Sequence, residues 1–445
     1  MTYFFAEEIT LATATHGSGL SDKHNQTPDT GDKARVAPAL HLELGGKEPE
    51  QVVPELIEHA ARLHVSDLFF ITNENNVDVA ARHLGVLRAV GSLNAEIGRR
   101  CISYVKTMAD MNISERRRPL DGRWLFSRRT GHRLDLRVNT IPTLHGEDCT
   151  LRILDQHYRL LSIDQIGLDP LLYNQLVRLL SSPSGLILVT GPTETGKSTT
   201  LYAGLSYLNN GERKINTIED PIEYSIRGIR QSQVHNGIGL TFDELLRGVL
   251  RQAPDVIMIG EIRDPETAQT AVRAAASGHL VLTTLHAPVA AAAIHTMLRL
   301  DVHPHLLAMS LLGVISQRLL RTLCPSCRQV FDVPSPRVFE EIQARLEPGE
   351  GQHLYGPGGC PECYMTGYAG RTGVFEMLRV GPEIRKLIDE RAPTHAIRQR
   401  AVQEGLVEFR QSALLKVAQG QTSIEEVIRV MPGEYLEHAP RDRPA

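Results

Sequence analysis

The spacing of apolar residues changes along the chain, and each change predicts a different element. Leu186 to Thr190 is an almost uninterrupted apolar run of strand length, and residues 198–208 follow with a helical pattern that ends at the turn residues 209–211. From about residue 165 to residue 320, such apolar strands alternate with helices. That alternation is typical of an α/β fold built on a mostly parallel sheet.

The segments on either side of this core have other patterns. Helical spacing begins at Glu48, and short strands, a helix and a further group of strands follow, which predicts a mixed α+β unit. Residues 1–46 are rich in Gly, Thr, Asp and Pro and are predicted to be disordered. The predicted organisation is then an α+β domain over 47–160, an α/β core over 161–320, a tetracysteine module over 321–372, a helical region over 373–432 and a flexible tail over 433–445.

Composition narrows the class of protein. The 445 residues carry a net charge of −4, which argues against a surface that coats nucleic acid, so no nucleic-acid partner is expected. No apolar run approaches the ~20 residues of a transmembrane helix, and the N-terminus lacks the basic region of a secretory signal. We therefore expect a cytoplasmic protein whose membrane contacts are peripheral.

Residues 191–198, which we call the phosphate loop, fit the pattern G-x-x-x-x-G-K-[ST]. A buried strand before the loop and a helix after it provide the context that this motif needs. The loop N–H groups and the helix N-terminus are expected to hold phosphate oxygens, Lys197 to reach the β- and γ-phosphates, and Ser198 to bind Mg²⁺. The predicted nucleotide-binding residues are Gly191, Pro192, Thr193, Glu194, Thr195, Gly196, Lys197, Ser198 and Thr199.

Hydrolysis of a bound nucleotide also requires acids. The apolar strand 255–261 ends in Glu261, which is expected to bind Mg²⁺ through water, although Gly260 stands where a second acid is usual. A second strand end carries three carboxylates at Glu219, Asp220 and Glu223. Alone this segment would be read as a solvated turn, but beside a phosphate loop it is a candidate source of the missing acid. Glu219 is predicted to orient the attacking water, and the roles of Glu219 and Glu261 are open to exchange.

Two histidines, His279 and His286, flank the predicted strand 280–285. A histidine at a strand end is usually a packed or solvated residue. Because side chains alternate along a strand, two residues seven apart lie on opposite faces, so at most one should face the γ-phosphate.

Arginines crowd the stretch from residue 116 to residue 137. Most of these arginines are expected to be solvated. The negative charges of Asp121 and Asp135 argue against a basic patch that binds nucleic acid. Arg137 and Arg152 lie on two predicted strands, and both suit a third role as arginine fingers that reach a nucleotide on a neighbouring subunit.

Four of the six cysteines form two C-x-x-C pairs, which are Cys324 with Cys327 and Cys360 with Cys363. In a reducing compartment this spacing predicts a structural zinc site, because four thiolates close a tetrahedral shell and leave no open position for catalysis. A disulfide or an empty site is the alternative.

Together these motifs resemble the secretion ATPase superfamily, which includes the type II secretion ATPases and the type IV pilus assembly ATPases. The stretches that carry the resemblance are GPTETGKSTTLY, TIEDPIEY, GHLVLTTLH and ISQRLLRTLCPSC. The resemblance implies a RecA-like P-loop core preceded by a PAS-like domain, a homo-hexamer with ATP between these domains, and arginine fingers at Arg137 and Arg152. The pilus retraction ATPases lack the tetracysteine insertion, so assembly or export is favoured over retraction.

Three departures from the family pattern qualify this resemblance. Glu194 stands where the family has glycine, which should disfavour a positive φ, place a negative charge near phosphate and lower the affinity for ATP. Residues 287–289 read Ala-Pro-Val in place of the usual Thr-Asn-Asp, so the role of that loop is open. The chain also begins later than members that carry an extra docking domain, so membrane recruitment is expected to be weaker, different or delegated.

The sequence therefore predicts a Mg²⁺-dependent ATPase motor that powers pseudopilus or type IV pilus assembly, or type II secretion, through a platform protein at the cytoplasmic face of the inner membrane. A degenerate nucleotide-binding ring with little turnover is one alternative, which Glu194 supports. A DNA-uptake or conjugation ATPase is the other, and the tetracysteine module weighs against it.

Overall fold

The structure, a computed structural model, describes residues 40–155, 160–332 and 336–435. Most of the segment predicted to be disordered, and the tail beyond residue 435, lie outside the described residues. Two large sheets and their helices confirm the predicted mixed α/β class with a mostly parallel sheet. None of the helices in the described ranges combines the length and the apolar character that a membrane span requires.

The first sheet has six antiparallel strands in the order β3-β2-β1-β6-β5-β4. Helices α1 (Pro49–Arg62) and α2 (Ala95–Met108) pack on one face, where Trp124 and Phe126 are buried. The strands are β1 (Asp67–Thr72), β2 (Asn76–His83), β3 (Val86–Asn94), β4 (Leu120–Ser127), β5 (Arg133–Thr143) and β6 (Gly146–Asp155). Arg137 of β5 lies directly opposite Arg152 of β6, so the two arginines share one face of the sheet.

The second sheet has seven strands in the order β15-β12-β7-β11-β10-β8-β9, and only β15 runs antiparallel to its neighbour. Every residue of the strands β7, β8, β10 and β11 is buried, because helices cover both faces of the parallel part. Leu186 and Leu188 of β7 face one hydrophobic core, whereas Ile187 and Val189 face the other.

The elements of this second part follow in chain order. The strands are β7 (Gly185–Thr190), β8 (Ile215–Glu219), β9 (Arg230–Gln233), β10 (Val256–Ile259), β11 (Leu280–Leu285), β12 (Leu311–Leu323), β13 (Gln329–Asp332), β14 (His353–Gly356) and β15 (Tyr368–Arg379). The helices are α3 (Pro170–Leu180), α4 (Lys197–Leu208), α5 (Phe242–Leu250), α6 (Pro265–Ala276), α7 (Ala290–Arg299), α8 (Pro304–Ser310), α9 (Pro382–Asp389), α10 (Thr394–Gln403), α11 (Phe409–Ala418) and α12 (Ile424–Val430).

The long strand β15 differs from the sequence prediction. The sequence predicts a mainly helical region from residue 373, yet residues 373–379 form the half of β15 that pairs with the start of β12. Residues 373–378 are all buried, so the alternation that marks a half-exposed strand is not visible in the sequence. The helices predicted for this region begin only at Pro382.

Candidate nucleotide site and tetracysteine cluster

The phosphate loop lies at the carboxyl edge of the second sheet, between β7 and α4. Two of its glycines are required by the backbone: Gly191 has φ +147° and Gly196 has φ +85°. A Cβ added at Gly191 would lie 2.6 Å from the carbonyl oxygen of Gln317. The Lys197 Nζ donates to the carbonyl oxygens of Gly191 (3.0 Å) and Pro192 (2.7 Å), which closes the loop on itself. Burial lowers the pKa of Lys197, against the opposing attraction of Glu261.

Glu194 adopts the left-handed conformation, with φ +62°. The backbone thus keeps the shape that glycine allows in the family, and a residue with a Cβ is strained there by about 1 kcal/mol. Its Oε1 lies 3.6 Å from Nη2 of Arg152, and Arg152 also donates a 3.0 Å hydrogen bond to Asp67. An arginine of the first sheet therefore partly neutralises the acid in the phosphate loop.

Glu261 and His286 meet beside the loop. The Glu261 carboxylate lies 2.9 Å from Nε2 of His286 and 2.8 Å from Nη2 of Arg263. His279 lies at the other end of the sheet: its Nδ1 is 3.0 Å from the carbonyl oxygen of Ala274, and its own carbonyl accepts the N–H of Gly185 at the start of β7. Of the two predicted histidines, the structure therefore brings only His286 to the loop.

The acids that follow β8 occupy two different environments. Glu219 is 4% exposed and accepts hydrogen bonds from Tyr202, from Thr217 (2.5 Å) and from Gln231 (3.1 Å). Glu223 instead faces the loop, where its Oε1 accepts a 3.5 Å hydrogen bond from Ser198. Two acids of this segment thus flank the start of α4.

Burial perturbs the groups around these acids. It raises the pKa of the Glu223 carboxyl, and the nearby Arg137 opposes this shift. Burial also raises the pKa of the Tyr202 phenol, and the Glu219 carboxylate adds to the shift. Tyr202 therefore stays a hydrogen-bond donor to Glu219, a role that its sequence context did not reveal.

A cleft of about 670 Å³ separates the first sheet from the segment that carries these acids. Its walls include Arg123, Arg137 and Arg152 on one side and Pro221 and Ile222 on the other. Arg123 is engaged by Asp135 at 2.8 Å, whereas Arg137 lies within electrostatic reach of Glu223. The two predicted arginines thus line one cleft, across from the segment that carries the acids.

Two residues that the sequence did not single out hold the loops of the site. The Gln317 Nε2 donates to the Thr195 carbonyl at 2.7 Å, and Arg318 donates to the Pro288 carbonyl at 2.8 Å. The Ala287 N–H, on the same loop as Pro288, donates to Thr190 Oγ1 at 2.8 Å. Backbone contacts therefore order the loop after His286, even though its side chains depart from the family pattern.

The four predicted cysteines form one cluster, with all sulfur atoms within 4.8 Å of one another. The Cys324–Cys360, Cys327–Cys363 and Cys360–Cys363 sulfur pairs are 3.8, 3.7 and 3.7 Å apart. Sulfurs at Zn–S bonds of 2.3 Å in a tetrahedron are about 3.8 Å apart, whereas a disulfide requires about 2.05 Å. The spacing is therefore compatible with zinc, and no S–S bond joins any two of these four thiols.

Backbone N–H groups stabilise thiolates in this cluster. Gly359 donates to the Cys327 sulfur, and Cys360 and Gly367 donate to the Cys363 sulfur, at 3.2 to 3.3 Å. Burial opposes ionisation of the Cys363 thiol, but these N–H groups and the neighbouring thiols outweigh it and lower its pKa to about 7. Of the four thiols, Cys363 is thus the one whose charged, metal-binding form is favoured, whereas burial raises the pKa of Cys324 and raises that of Cys327 to about 12.

A phosphate loop at the carboxyl edge of a mostly parallel sheet, with acids on neighbouring strand ends, defines a P-loop nucleoside triphosphatase. Residues 45–429 match the family described as type II/IV secretion system protein, and the chain belongs to this family.

Individual relatives agree with this assignment. The chain is 44% identical to the type II secretion system protein E of Dickeya dadantii (strain 3937), over 86% of this chain and 75% of that protein. It is 42% identical to the type II secretion system ATPase E of Vibrio cholerae serotype O1, over 85% and 75% of the two chains. Among solved structures it is similar to the pilus retraction motor PilT with bound ADP, with 26% identity, a TM-score of 0.56 and coverage of 85% of this chain and 97% of that one.

The chain is therefore an ATP hydrolase of the secretion and pilus motor class. Membership of this class implies a nucleotide and Mg²⁺, and its members typically form oligomers and work with membrane machinery.

Proposed function

We propose that this chain is the Mg²⁺-dependent motor of a type II secretion system. It would assemble the pseudopilus as a homo-hexamer at the cytoplasmic face of the inner membrane, by acting on a membrane platform protein. The observation that carries the proposal is the set of contacts between the phosphate loop, the acids and the first sheet: Arg152 lies 3.6 Å from Glu194, Ser198 donates to Glu223, and Arg137 lies within electrostatic reach of Glu223. The names of the relatives in Dickeya and Vibrio favour secretion over pilus assembly.

Within this proposal, the loop and Lys197 bind the phosphates of ATP, and Ser198 and Glu261 hold the Mg²⁺. The metal would neutralise charge that develops on the transferred phosphoryl group. Glu223, within hydrogen-bond distance of Ser198, adds a second carboxylate on the metal side. His286, which contacts Glu261, would sense the γ-phosphate, whereas His279 contacts Ala274 at the other end of the sheet and has no role in this proposal.

Glu219 remains the residue that we assign to the attacking water. A carboxylate has about four acceptor positions, and three donors occupy this one. These donors hold the group in one orientation, and about one acceptor position is left for a water molecule. Glu219 would therefore act as a pre-oriented acceptor at the end of β8.

Arg152 suggests how hydrolysis produces movement. It binds Asp67 within the first sheet and Glu194 within the phosphate loop, so it links the first sheet to the loop. A bound triphosphate would add negative charge beside this arginine, and hydrolysis would remove it. The attraction between the two sheets would change with each turnover, and a neighbouring subunit or the platform protein would receive the resulting shift.

We also propose that the tetracysteine cluster binds one structural zinc ion. All four ligands are cysteine sulfurs, and two of these residues, Cys324 and Cys363, are buried. Such a site has no open position for substrate, so its contribution is to the folding of the segment between β12 and β15.

Deletion of the gene in its host tests the proposed function. We expect the culture supernatant to lose a set of secreted proteins, and the parent gene to restore them, because secretion depends on turnover. A Glu261→Gln gene should not restore them, whereas the control Glu266→Gln, on the exposed surface of α6, should do so. The measurement is mass spectrometry of the supernatants. A strain that keeps its secreted proteins and loses surface filaments would indicate type IV pilus assembly, and one that keeps both would contradict the proposal.

Glu194→Gly should tighten ATP binding by about three- to tenfold. Glycine removes a backbone strain of about 1 kcal/mol together with a negative charge beside the phosphates. Titration with a fluorescent ATP analogue measures the change. Glu194→Gln is the matched control, since it removes the charge and keeps the strained backbone. An unchanged dissociation constant for Glu194→Gly would show that the loop already tolerates the acid.

A further inference from the structure

Strand β12 runs beside the phosphate loop and contacts it through one buried side chain. The last residue of β12 that pairs with β7 is Ser316, which lies opposite Thr190. Gln317 is the next residue of β12, so it lies beside Gly191, the first residue of the loop. Gln317 is 1% exposed, and its Nε2 donates a 2.7 Å hydrogen bond to the carbonyl oxygen of Thr195. The opposite orientation of the amide would set two acceptors against each other, so the contact itself determines which atom is the donor.

This hydrogen bond sets the direction of a peptide group inside the loop. In a trans peptide, the carbonyl and the following N–H point in opposite directions. Because the Thr195 carbonyl is held towards β12, the N–H of Gly196 is turned away from β12, into the loop where phosphate oxygens bind. We propose that Gln317 is a positioning residue for ATP binding, which pre-orients this N–H donor before the nucleotide arrives.

The close approach of the loop to β12 supports this assignment. A Cβ added at Gly191 would lie 2.6 Å from the Gln317 carbonyl oxygen, and one added at Gly196 would lie 3.3 Å from Nε2. Both ends of the loop therefore rest against the same residue. Gln317 therefore fixes the position of the phosphate loop relative to β12.

The neighbours of Gln317 hold this part of β12 in place. Ser316 and Gln317 pair with Glu376 and Phe375 of β15. The Glu376 carboxylate accepts the N–H of Ala290 at 2.8 Å, at the start of the helix that follows His286. Together with the Arg318 contact to Pro288, one short stretch of β12 and β15 holds both loops of the site.

Gln317→Met tests the inference in the purified full-length protein with Mg²⁺ and ATP. Methionine fills a similar volume but cannot donate to Thr195. We expect the Kd and KM for ATP to rise about tenfold, because a binding donor loses its orientation, while kcat stays within about threefold. The melting temperature without nucleotide should stay within about 2 °C of the parent. Gln269→Met is the matched control. Gln269 lies on α6, and its amide donates to the Asp301 carbonyl, so its loss should leave the ATP affinity unchanged.

An ATP affinity within twofold of the parent would overturn the inference, as would a fall in kcat with unchanged Kd or a loss of affinity that a lower melting temperature explains. If Gln317→Met does not fold, Gln317→Glu is measured in its place. The Glu carboxylate would face the Thr195 carbonyl as a second acceptor, so ATP binding should weaken at least as much. The inference rests on the proposed nucleotide role of the loop, so Lys197→Ala is measured in parallel. If that variant binds ATP like the parent, the proposed role of the loop fails; if it loses binding while Gln317→Met does not, only the inference about Gln317 fails.

Discussion

Lys197→Ala should lower ATP turnover about a hundredfold or more. The Lys197 ammonium is the cation nearest the loop carbonyls of Gly191 and Pro192, and it would exchange these contacts for the β- and γ-phosphates when ATP binds. Alanine removes a charged donor aimed at the point where charge develops, and losses of about 10² to 10³ are typical for such a donor. Phosphate release from the purified protein with Mg²⁺ and ATP measures the effect.

Lys214→Ala is the matched control for this experiment. Lys214 also donates to a backbone carbonyl, that of Gln252, but it is exposed and precedes β8, at the end of the sheet remote from the loop. Its removal should leave turnover within about twofold of the parent, because no phosphate lies near it. Turnover of Lys197→Ala within fivefold of the parent would contradict the catalytic role of the loop.

Cys324→Ser should abolish zinc binding and lower the melting temperature by roughly 10 °C. Three thiolates and a hydroxyl form a much weaker site than four thiolates, and the metal contributes its binding free energy to folding of the segment between β12 and β15. Metal analysis of the purified protein should find one zinc per parent chain and almost none in the variant. Thermal unfolding, followed by circular dichroism, measures the loss of stability.

Cys101→Ser provides the comparison. Burial raises the pKa of the Cys101 thiol to about 12, and the residue lies in the core of the first sheet. A hydroxyl buried there also lowers stability, but it should leave the zinc content unchanged. A parent protein without zinc, or a Cys324→Ser protein with a full equivalent, would disprove the metal assignment.

The sequence predicted those elements whose signals lie within a short stretch of the chain. The strand, loop and helix over 186–208 were predictable because the turn chemistry, the apolar run and the helix start lie within about twenty residues. The C-x-x-C pairs were equally clear, since their spacing alone indicates a metal ligand set. Glu194 stood out because it occupies a position that glycine normally takes, and the structure places it at positive φ.

Long-range contacts could not be predicted in the same way. Gln317 bonds a residue 122 positions earlier in the chain, and no spacing rule connects them. For His279 and His286, the alternation of side chains along a strand predicted only that the two residues lie on opposite faces of the sheet. They also lie at opposite ends of β11, about 23 Å apart, and this separation decides which of them is near the loop. The three donors to Glu219 come from α4, β8 and β9, so the burial of this acid depends on how the elements pack.

The antiparallel pairing of β12 with β15 has a consequence for the evolution of this chain. Strand β12 ends at Leu323, which lies opposite Tyr368 at the start of β15, and the Cys324 N–H donates to the Gly367 carbonyl. The chain therefore leaves the two strands after Leu323 and returns to them at Gly367 at the same point. The described part of the segment in between still packs on the rest of the protein, because Phe339 and Ile342 are buried in the same hydrophobic cluster as Leu320 and Val374, and Arg345 forms a 2.8 Å ion pair with Asp169. The ladder between β12 and β15 sets the register of the two strands. A related motor that lacks the metal-binding segment can keep this ladder, but it needs other apolar side chains to cover the remainder of that cluster.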